Sequence, residues 1–176
     1  GAVVAETLNA LVRCLHPTVA VIQGACTGGG LEIACCCDIR ISNASSRFGV
    51  PINRLGHAFA YPEMAPVVAA VGRRMVLELL LEGRIMDSDE AERCGLVNRV
   101  VVDKDLDAEA EATAGRIAEG APLANRATKK FLNRLLDPAP LTREELDEAY
   151  ELCDSEDYAE GMRAFLAKEK PDFKGR

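Results

Sequence analysis

The apolar positions of the chain alternate between helical spacing and short continuous runs. Residues 2–14 have helical spacing, and this helix ends before Pro17 because proline pushes its predecessor out of the α region. Residues 18–23 form a short apolar, β-branched run, which is typical of a strand buried on both faces. A glycine-rich turn over 24–30 then leads into a helix over 31–37.

The remaining chain continues this alternation and then becomes helical. Short strands are predicted at 39–42, 46–48 and 96–102, and helices at 62–70, 73–82, 105–119, 122–136, 142–153 and 156–168, with a short helix from 87–90 to Gly95 and a linker at 137–140. Gly72 and Gly83 mark helix ends. Strands alternating with helices, followed by a run of helices, predict an α/β fold with a core over 1–102 and a helical C-terminal region over 103–176.

Composition and charge indicate a globular chain. Of 176 residues, 48% are hydrophobic and 28% are charged, and 28 acidic against 21 basic residues give a net charge of −7. All of that charge belongs to residues 84–176, because residues 1–83 carry both signs equally. An acidic chain disfavours a nucleic-acid surface, which needs clustered Lys and Arg. We expect no membrane anchor and no secretion, since no apolar run is long enough and no signal-peptide pattern opens the chain.

The cysteines indicate buried thiols in a reducing compartment. There are seven, which is an odd number, and Cys35, Cys36 and Cys37 are consecutive in an apolar segment. Adjacent helical residues point about 100° apart, so these three cannot together hold one metal ion. No CxxC pair exists either. We interpret the cysteines as small apolar core residues of a cytoplasmic protein, and we predict no metal site.

The segment with the clearest chemistry is 19–38 (VAVIQGACTGGGLEIACCCD), where a buried strand runs into three glycines and a helix. Glycines let a ligand approach the backbone closely, and a helix start presents free N–H groups that favour an anion. The segment lacks the Lys-Ser/Thr of a P-loop, and Ile33 stands where a dinucleotide fingerprint needs glycine. The remaining use is to hold a single developing oxyanion, as in acyl or enolate chemistry.

A carboxylate accompanies this turn. Glu32 lies three residues after Gly29, about one helical turn on and on the same face. A carboxylate beside an oxyanion donor suits proton transfer. A first-turn glutamate is also favoured by the helix dipole without any catalytic role, and the pattern leaves both interpretations open.

Several segments in order resemble one enzyme family. The segment 16–42 (HPTVAVIQGACTGGGLEIACCCDIRIS) is similar to the glycine turn of the crotonase superfamily, the enoyl-CoA hydratase/isomerase family. Its later segments are resembled by 46–51 (SRFGVP), Leu55-Gly56, Val71-Gly72, 79–102 and 160–176 (EGMRAFLAKEKPDFKGR). The resemblance implies a spiral of βαβ units with a helical C-terminal region that forms a homotrimer or a dimer of trimers.

The same resemblance implies an activity and its residues. The implied substrate is an acyl-CoA thioester of fatty acid metabolism, with coenzyme A as part of the substrate and no further cofactor. The backbone N–H of Gly29 would hold the enolate oxygen and Glu32 would act as acid or base. Phe165 and Lys168 match residues that meet the adenine and phosphate of CoA, often on a neighbouring subunit, and a stacking ring and a point charge suit those groups. The alternative is that Phe165 is helix core and Lys168 is solvated surface.

Two features depart from the family pattern. The family's other oxyanion donor lies upstream of the segments matched here, so we expect residues 1–176 alone to be inactive, since one lost donor forfeits about 3–4 kcal/mol of transition-state stabilisation. Hydratases also carry a second glutamate after the proline of the FGxP segment, where this chain has Ile52. Isoleucine cannot position or ionise water.

Three residues are candidates to compensate for Ile52. His57 has a side chain suited to proton transfer near neutral pH, although a lone histidine is more often structural. Tyr61 could donate to a leaving group or carboxylate. Glu63 sits at a predicted helix start, where a carboxylate also serves as a plain cap.

Two classes of function follow. The first is an acyl-CoA enzyme of the hydratase/isomerase type, a lyase or an isomerase, that stabilises a thioester enolate. Isomerisation fits one carboxylate better than hydration, while decarboxylation and thioester hydrolysis stay open. The alternative is a catalytically silent member that binds acyl-CoA or acts as a structural subunit. RNA binding is disfavoured by the net charge of −7.

Overall fold

The computed structural model describes residues 2–176, which form two compact units. The first unit comprises residues 2–14 and Thr18–Ala112, and the second comprises Leu15–Pro17 and Thr113–Arg176. The division at 112/113 lies later in the chain than the predicted one at 102/103, because the first unit includes the opening residues of a helix that starts at Leu106.

The chain alternates strands and helices and then becomes helical, which confirms the predicted α/β class. The helices are α1 Ala2–Val12, α2 Gly29–Cys36, α3 Tyr61–Glu82, α4 Ser88–Arg93, α5 Leu106–Ala118, α6 Pro122–Arg134, α7 Arg143–Glu151 and α8 Glu156–Ala167. The strands are β1 Val19–Ile22, β2 Ala25–Thr27, β3 Ile39–Asn43, β4 Arg47–Gly49, β5 Ile85–Asp87 and β6 Arg99–Val101. Short 3₁₀ turns span Ile52–Leu55, Asp103–Asp105 and Leu152–Asp154.

The first unit contains two three-stranded sheets. In one sheet β3 lies between β1 and β6, and all three strands are parallel, with Val19 opposite Ile39 and Ile41 opposite Arg99. In the other, β4 lies between β2 and β5, parallel to β2 and antiparallel to β5. Parallel neighbouring strands need a crossover connection. The connection from β2 to β4 consists of α2 and β3.

The core of the first unit lies where these sheets meet α2 and α3. Its most buried large side chains include Leu31, Phe48, Leu79, Met86 and Leu96, each no more than 1% exposed. Leu31 is adjacent to Glu32 and Phe48 is adjacent to Gly49, so the segments that carry the candidate chemistry are fixed by core side chains.

Several predicted boundaries change for local reasons. The stretch 24–30 is not one turn, since it contains β2, whose only buried side chain is Cys26. The helices predicted at 62–70 and 73–82 are one helix with a kink at Gly72, where φ is 73° and ψ is 162°. The strand predicted over 96–102 shrinks to β6, because the N–H groups of Leu96 and Val97 donate back to the carbonyl of Ala91. No strand was predicted at the position of β5.

In the second unit, Arg134 organises the linker after α6. Its guanidinium donates to the carbonyl oxygens of Ala139 and Pro140 and pairs with Glu145 on α7. Thr142 and Glu145 form a capping box at the start of α7, in which each side chain accepts the other's backbone N–H. The predicted linker is therefore an ordered connection.

The C-terminal tail folds back onto the start of α8 through a buried carboxylate. Asp157 is 3% exposed, and it accepts the N–H groups of Lys174 at 2.7 Å and Gly175 at 3.0 Å. Its own N–H donates to the carbonyl of Arg176, and Glu160 accepts the N–H of Asp172. Charge-assisted hydrogen bonds of this kind hold the last residues in place.

We expect Asp157→Ala to release this tail. Two backbone donors lose a charged acceptor, and the free energy of unfolding should fall by about 3 kcal/mol in urea titration. Limited proteolysis should then cut the last residues faster. The control is Asp172→Ala, because the exposed Asp172 carboxylate pairs only with Lys174 in the described part of the chain. Equal stability of the two variants would contradict the prediction.

Candidate active site

The glycine turn between β2 and α2 is held by its own backbone. Gly28 has φ 54° and ψ −125°, a backbone conformation that residues other than glycine rarely adopt. Its N–H donates to the carbonyl of Gly49 at 3.1 Å, and its carbonyl accepts the N–H groups of Leu31 and Glu32. Helix α2 consequently begins at Gly29, two residues earlier than predicted.

The first N–H groups of α2 face outward without a protein acceptor. Gly29 and Gly30 are exposed, and within residues 2–176 neither N–H donates to a backbone or side-chain oxygen. Such orphan donors at a helix start carry a partial positive charge. The Gly29 N–H is therefore free to donate to a negatively charged oxygen, and its role as an oxyanion donor stays a prediction.

Glu32 is a buried carboxylate without a partner. It is 7% exposed, and no hydrogen bond or ion pair reaches its side chain from any other residue that the structure describes. Buried charged groups are normally paired or hydrogen-bonded. Glu32 is therefore a largely buried first-turn residue, and its proton-transfer role stays a prediction.

The surroundings of Glu32 favour its protonated form. Burial raises the pKa of the Glu32 carboxyl, and the negative charge of Glu63 raises that pKa further. Both effects penalise the ionised form. A raised pKa brings a carboxyl closer to the range in which it can both hold and release a proton at physiological pH.

Glu63 comes from the first turn of α3, which packs against α2. Its Oε2 accepts the backbone N–H of Ala60 at 3.1 Å, which confirms the expected capping interaction. The side chain is half-buried. The negative charge of Glu63 thus acts on the Glu32 carboxyl. The sequence could not show this effect, because the two residues lie on separate helices.

Ile52, His57 and Tyr61 differ from Glu63 because they have no interaction with Glu32 in the described chain. Ile52 packs against the apolar core, and together with His57 it borders a groove of about 380 Å³ along α3. His57 is exposed, with Nδ1 directed at the carbonyl of Ala58. Tyr61 is 91% exposed. None of the three has an interaction with Glu32 among the described residues.

The two residues assigned to CoA lie in the second unit, at the end of α8. Phe165 is 79% exposed, so the alternative that it is helix core is wrong for this chain. Lys168 is exposed at the helix C-cap in the left-handed conformation, with φ 57°. In the described chain no carboxylate lies within ion-pair distance of its ammonium group.

Gly49 was not recognised from the sequence as part of this site. It accepts the N–H of Gly28, and a Cβ at Gly49 would lie 2.6 Å from the carbonyl oxygen of Arg84. The glycine is therefore needed for the close approach of β4 and β5, which places its carbonyl beneath the turn. The only sequence signal was its position after Phe48 in the SRFGVP segment.

The buried thiols near the site have raised pKa values and are therefore poor nucleophiles. Burial raises the pKa of Cys26 to about 11, of Cys35 to about 12 and of Cys36 to about 11. These three behave as the predicted small core residues, whereas Cys153 is exposed. Over residues 2–176, no three His, Cys, Asp or Glu side chains converge as a metal site would require.

Among the helices of residues 2–176, none combines the length and the apolar content that crossing a bilayer requires.

Comparisons with known proteins match nearly the whole chain. The sequence model of a family described as enoyl-CoA hydratase/isomerase matches residues 2–176. A probable enoyl-CoA hydratase of Mycobacterium bovis is 38% identical over 173 residues, which are 97% of this chain and 67% of that protein. A crotonyl-CoA hydratase of Syntrophomonas wolfei is 34% identical over 175 residues, which are 98% of this chain and 67% of that protein.

A solved structure extends the similarity to the fold. The chain is similar to an enoyl-CoA hydratase/carnithine racemase from Magnetospirillum magneticum, with a TM-score of 0.95 and 55% identity. That match covers 97% of this chain and 64% of the solved chain. The chain thus spans about two thirds of the length of the proteins it matches.

Proposed function

The chain belongs to the enoyl-CoA hydratase/isomerase family, and we propose that it carries the proton-transfer half of an enoyl-CoA active site. The observation that carries the proposal is the buried, unpartnered Glu32 one helical turn from the free N–H of Gly29. The Gly29 N–H would hold the thioester oxygen as it becomes enolate-like, and Glu32 would exchange the proton of the adjacent carbon.

The physical chemistry of the pair supports this assignment. An N–H at a helix start stabilises charge that develops on an oxygen, so it lowers the energy of an enolate more than that of the thioester. A carboxyl with a raised pKa is closer in acidity to the carbon acid it serves. Moving a double bond needs one such group, because the proton removed from one carbon can return at another.

The experiment is solvent exchange. The complete protein is incubated with butyryl-CoA in D₂O, and deuterium at the carbon next to the thioester is followed by mass spectrometry. Exchange above the buffer rate is expected. The absorbance of crotonyl-CoA, followed in the same preparation, reports water addition. Absence of any exchange at high enzyme concentration would refute the proposal.

We also propose that Phe165 and Lys168 contact the CoA portion of the substrate, the ring by stacking and the ammonium by its charge on a phosphate. Phe165→Ala and Lys168→Ala should each weaken binding of CoA about tenfold in calorimetry, a loss typical of one stacking or charge contact. The matched control is Lys130→Ala, an exposed lysine on α6 paired with Glu148. Unchanged affinity in both test variants would refute these contacts.

The second candidate function is an acyl-CoA-binding member without catalysis. Ile52 favours it, because the position holds an apolar side chain packed into the core. Glu32, retained one helical turn from the free N–H of Gly29, opposes it. Binding of acyl-CoA without proton exchange would identify this second function. Trimeric assembly and a cytoplasmic location stay predictions.

A further inference from the structure

We propose that Arg84, the residue before β5, is a positioning residue for the oxyanion turn formed by Gly28 and Gly29. Its guanidinium joins α3 to α4, and its main chain lies against Gly49, whose carbonyl holds the turn. The inference rests on the proposed function of the Gly29 N–H and goes beyond it, because it assigns a role to a side chain outside the glycine turn.

The main chain supplies the first part of the connection. The N–H of Gly28 donates to the carbonyl of Gly49 at 3.1 Å, which continues the pairing of β2 with β4. On the other edge of β4, Gly49 lies opposite Ile85, and a Cβ on Gly49 would lie 2.6 Å from the carbonyl oxygen of Arg84. The Arg84 peptide therefore limits how far β4 can approach β5, and it sets the position of the carbonyl that holds the turn.

The side chain of Arg84 supplies the second part, because it connects the two helices that flank β5. Its Nη1 and Nη2 donate to the two carboxylate oxygens of Glu90 on α4 at 2.8 and 2.5 Å. Nη2 also lies 2.5 Å from Oε1 of Glu78 on α3. A bidentate arginine–carboxylate pair fixes direction as well as distance. These three side chains, which we call the arginine clamp, tie the start of β5 to both helices.

The arginine clamp differs from an ordinary surface ion pair. The Arg84 side chain is only 24% exposed, whereas freely exposed pairs contribute little to structure. Hydrogen bonds from Arg84 lower the pKa of the Glu90 carboxyl, so the pair stays charged well below neutral pH. Arg74 on α3 offers the contrast, since it is exposed and pairs with no carboxylate among residues 2–176.

Loss of the arginine clamp would let the Arg84 peptide, and with it β4, move relative to the glycine turn. Stabilisation of an enolate depends on where its donor stands, and a misplacement of about 1 Å can lower a rate about a hundredfold. The CoA contacts are proposed for Phe165 and Lys168, which the change leaves in place. The expected effect is therefore on turnover and not on substrate affinity.

The test is Arg84→Met in the complete protein, since methionine keeps an unbranched side chain but has neither the charge nor the donors. With saturating butyryl-CoA, deuterium exchange at the carbon next to the thioester should slow about tenfold or more, while KM stays within about twofold. Arg84→Lys keeps the charge without the bidentate pair, so it should lose less activity, and it serves if methionine prevents folding. The matched control, Arg74→Met, should alter neither value.

A double-mutant cycle tests whether Arg84 acts through its carboxylate partner. Glu90→Gln alone should slow the exchange about threefold, and Arg84→Met combined with Glu90→Gln should be no slower than Arg84→Met, because both changes break the same pair.

Hydrogen-exchange mass spectrometry adds a readout that needs no substrate. The amide of Gly28 should exchange faster in Arg84→Met than in Arg74→Met, because its bond to the Gly49 carbonyl is loosened. A peptide from α8 should exchange as in the wild type in both variants, which separates this local effect from global unfolding.

Each outcome has a distinct meaning. Wild-type turnover in Arg84→Met, a loss confined to KM, additive losses in the double mutant, or unchanged protection of the Gly28 amide would each overturn the role of Arg84 and leave the proposed function standing. Absence of deuterium exchange into butyryl-CoA by the wild type would remove the proposed function, while the hydrogen-exchange comparison would still decide whether Arg84 positions the turn.

Discussion

Glu32→Gln is expected to lower α-deuterium exchange into butyryl-CoA by about 10³-fold, the usual contribution of a positioned acid or base. Glutamine has nearly the same shape but cannot take up or release a proton. Binding of CoA, measured by calorimetry, should stay within about a factor of two, because the change leaves Phe165 and Lys168 in place. A Glu32→Gln protein that exchanges at the wild-type rate would remove Glu32 from its proposed role.

The same substitution should raise stability in a pH-dependent way. The folded-state pKa of Glu32 lies above its ordinary value, so the folded protein binds the proton more tightly than the unfolded chain. The contribution of Glu32 to stability is therefore fully present below the ordinary carboxyl pKa and is lost as pH rises through the raised pKa. Glutamine cannot ionise, so the Glu32→Gln protein does not undergo this pH-dependent loss of stability.

Urea titrations at two pH values test this sign. Glu32→Gln should be more stable than wild type at about pH 8, and the difference should shrink at about pH 4. Glu82→Gln, an exposed carboxylate, serves as the control and should show no such divergence. A Glu32→Gln protein that is less stable than wild type at the higher pH would mean that the carboxylate has a stabilising partner.

Gly49→Ala is expected to cause the second large effect, a loss of about 3 kcal/mol in the free energy of unfolding. The added methyl would lie 2.6 Å from the carbonyl oxygen of Arg84 and 2.7 Å from Cδ1 of Ile85, so β4 and β5 must move apart. Because the Gly49 carbonyl accepts the N–H of Gly28, the shift also displaces the oxyanion turn. Exchange activity should therefore fall with stability.

The matched control is Gly30→Ala. Gly30 lies in the first turn of α2, it does not have positive φ, and no atom lies within 4 Å of the place where an alanine methyl would sit. Alanine there should raise the free energy of unfolding by about 0.5–1 kcal/mol, because it restricts the unfolded chain and favours helix. If thermal denaturation places Gly49→Ala above Gly30→Ala in stability, the close approach of β4 and β5 is not the reason for the glycine at 49.

Local sequence signals identified most elements but not the shortest ones. Strand β1 was recognisable from its β-branched run, and the capping box of Thr142 and Glu145 marked the start of α7. Strands β2 and β5 have three residues each, and each has one buried side chain, so no periodicity can develop within them. They form because β4 lies between them and supplies their hydrogen-bonding partners.

For the candidate site, the sequence by itself determined the glycine turn, the spacing of Gly29 and Glu32, the absence of a carboxylate at Ile52, and the presence of an aromatic and a cationic residue near the end of the last helix. These are local features, since a turn and one helical period set them. Only the tertiary structure decided that Glu32 is buried without a partner and that Glu63 acts on it. Burial and charge proximity depend on how α3 packs against α2, which no local pattern encodes.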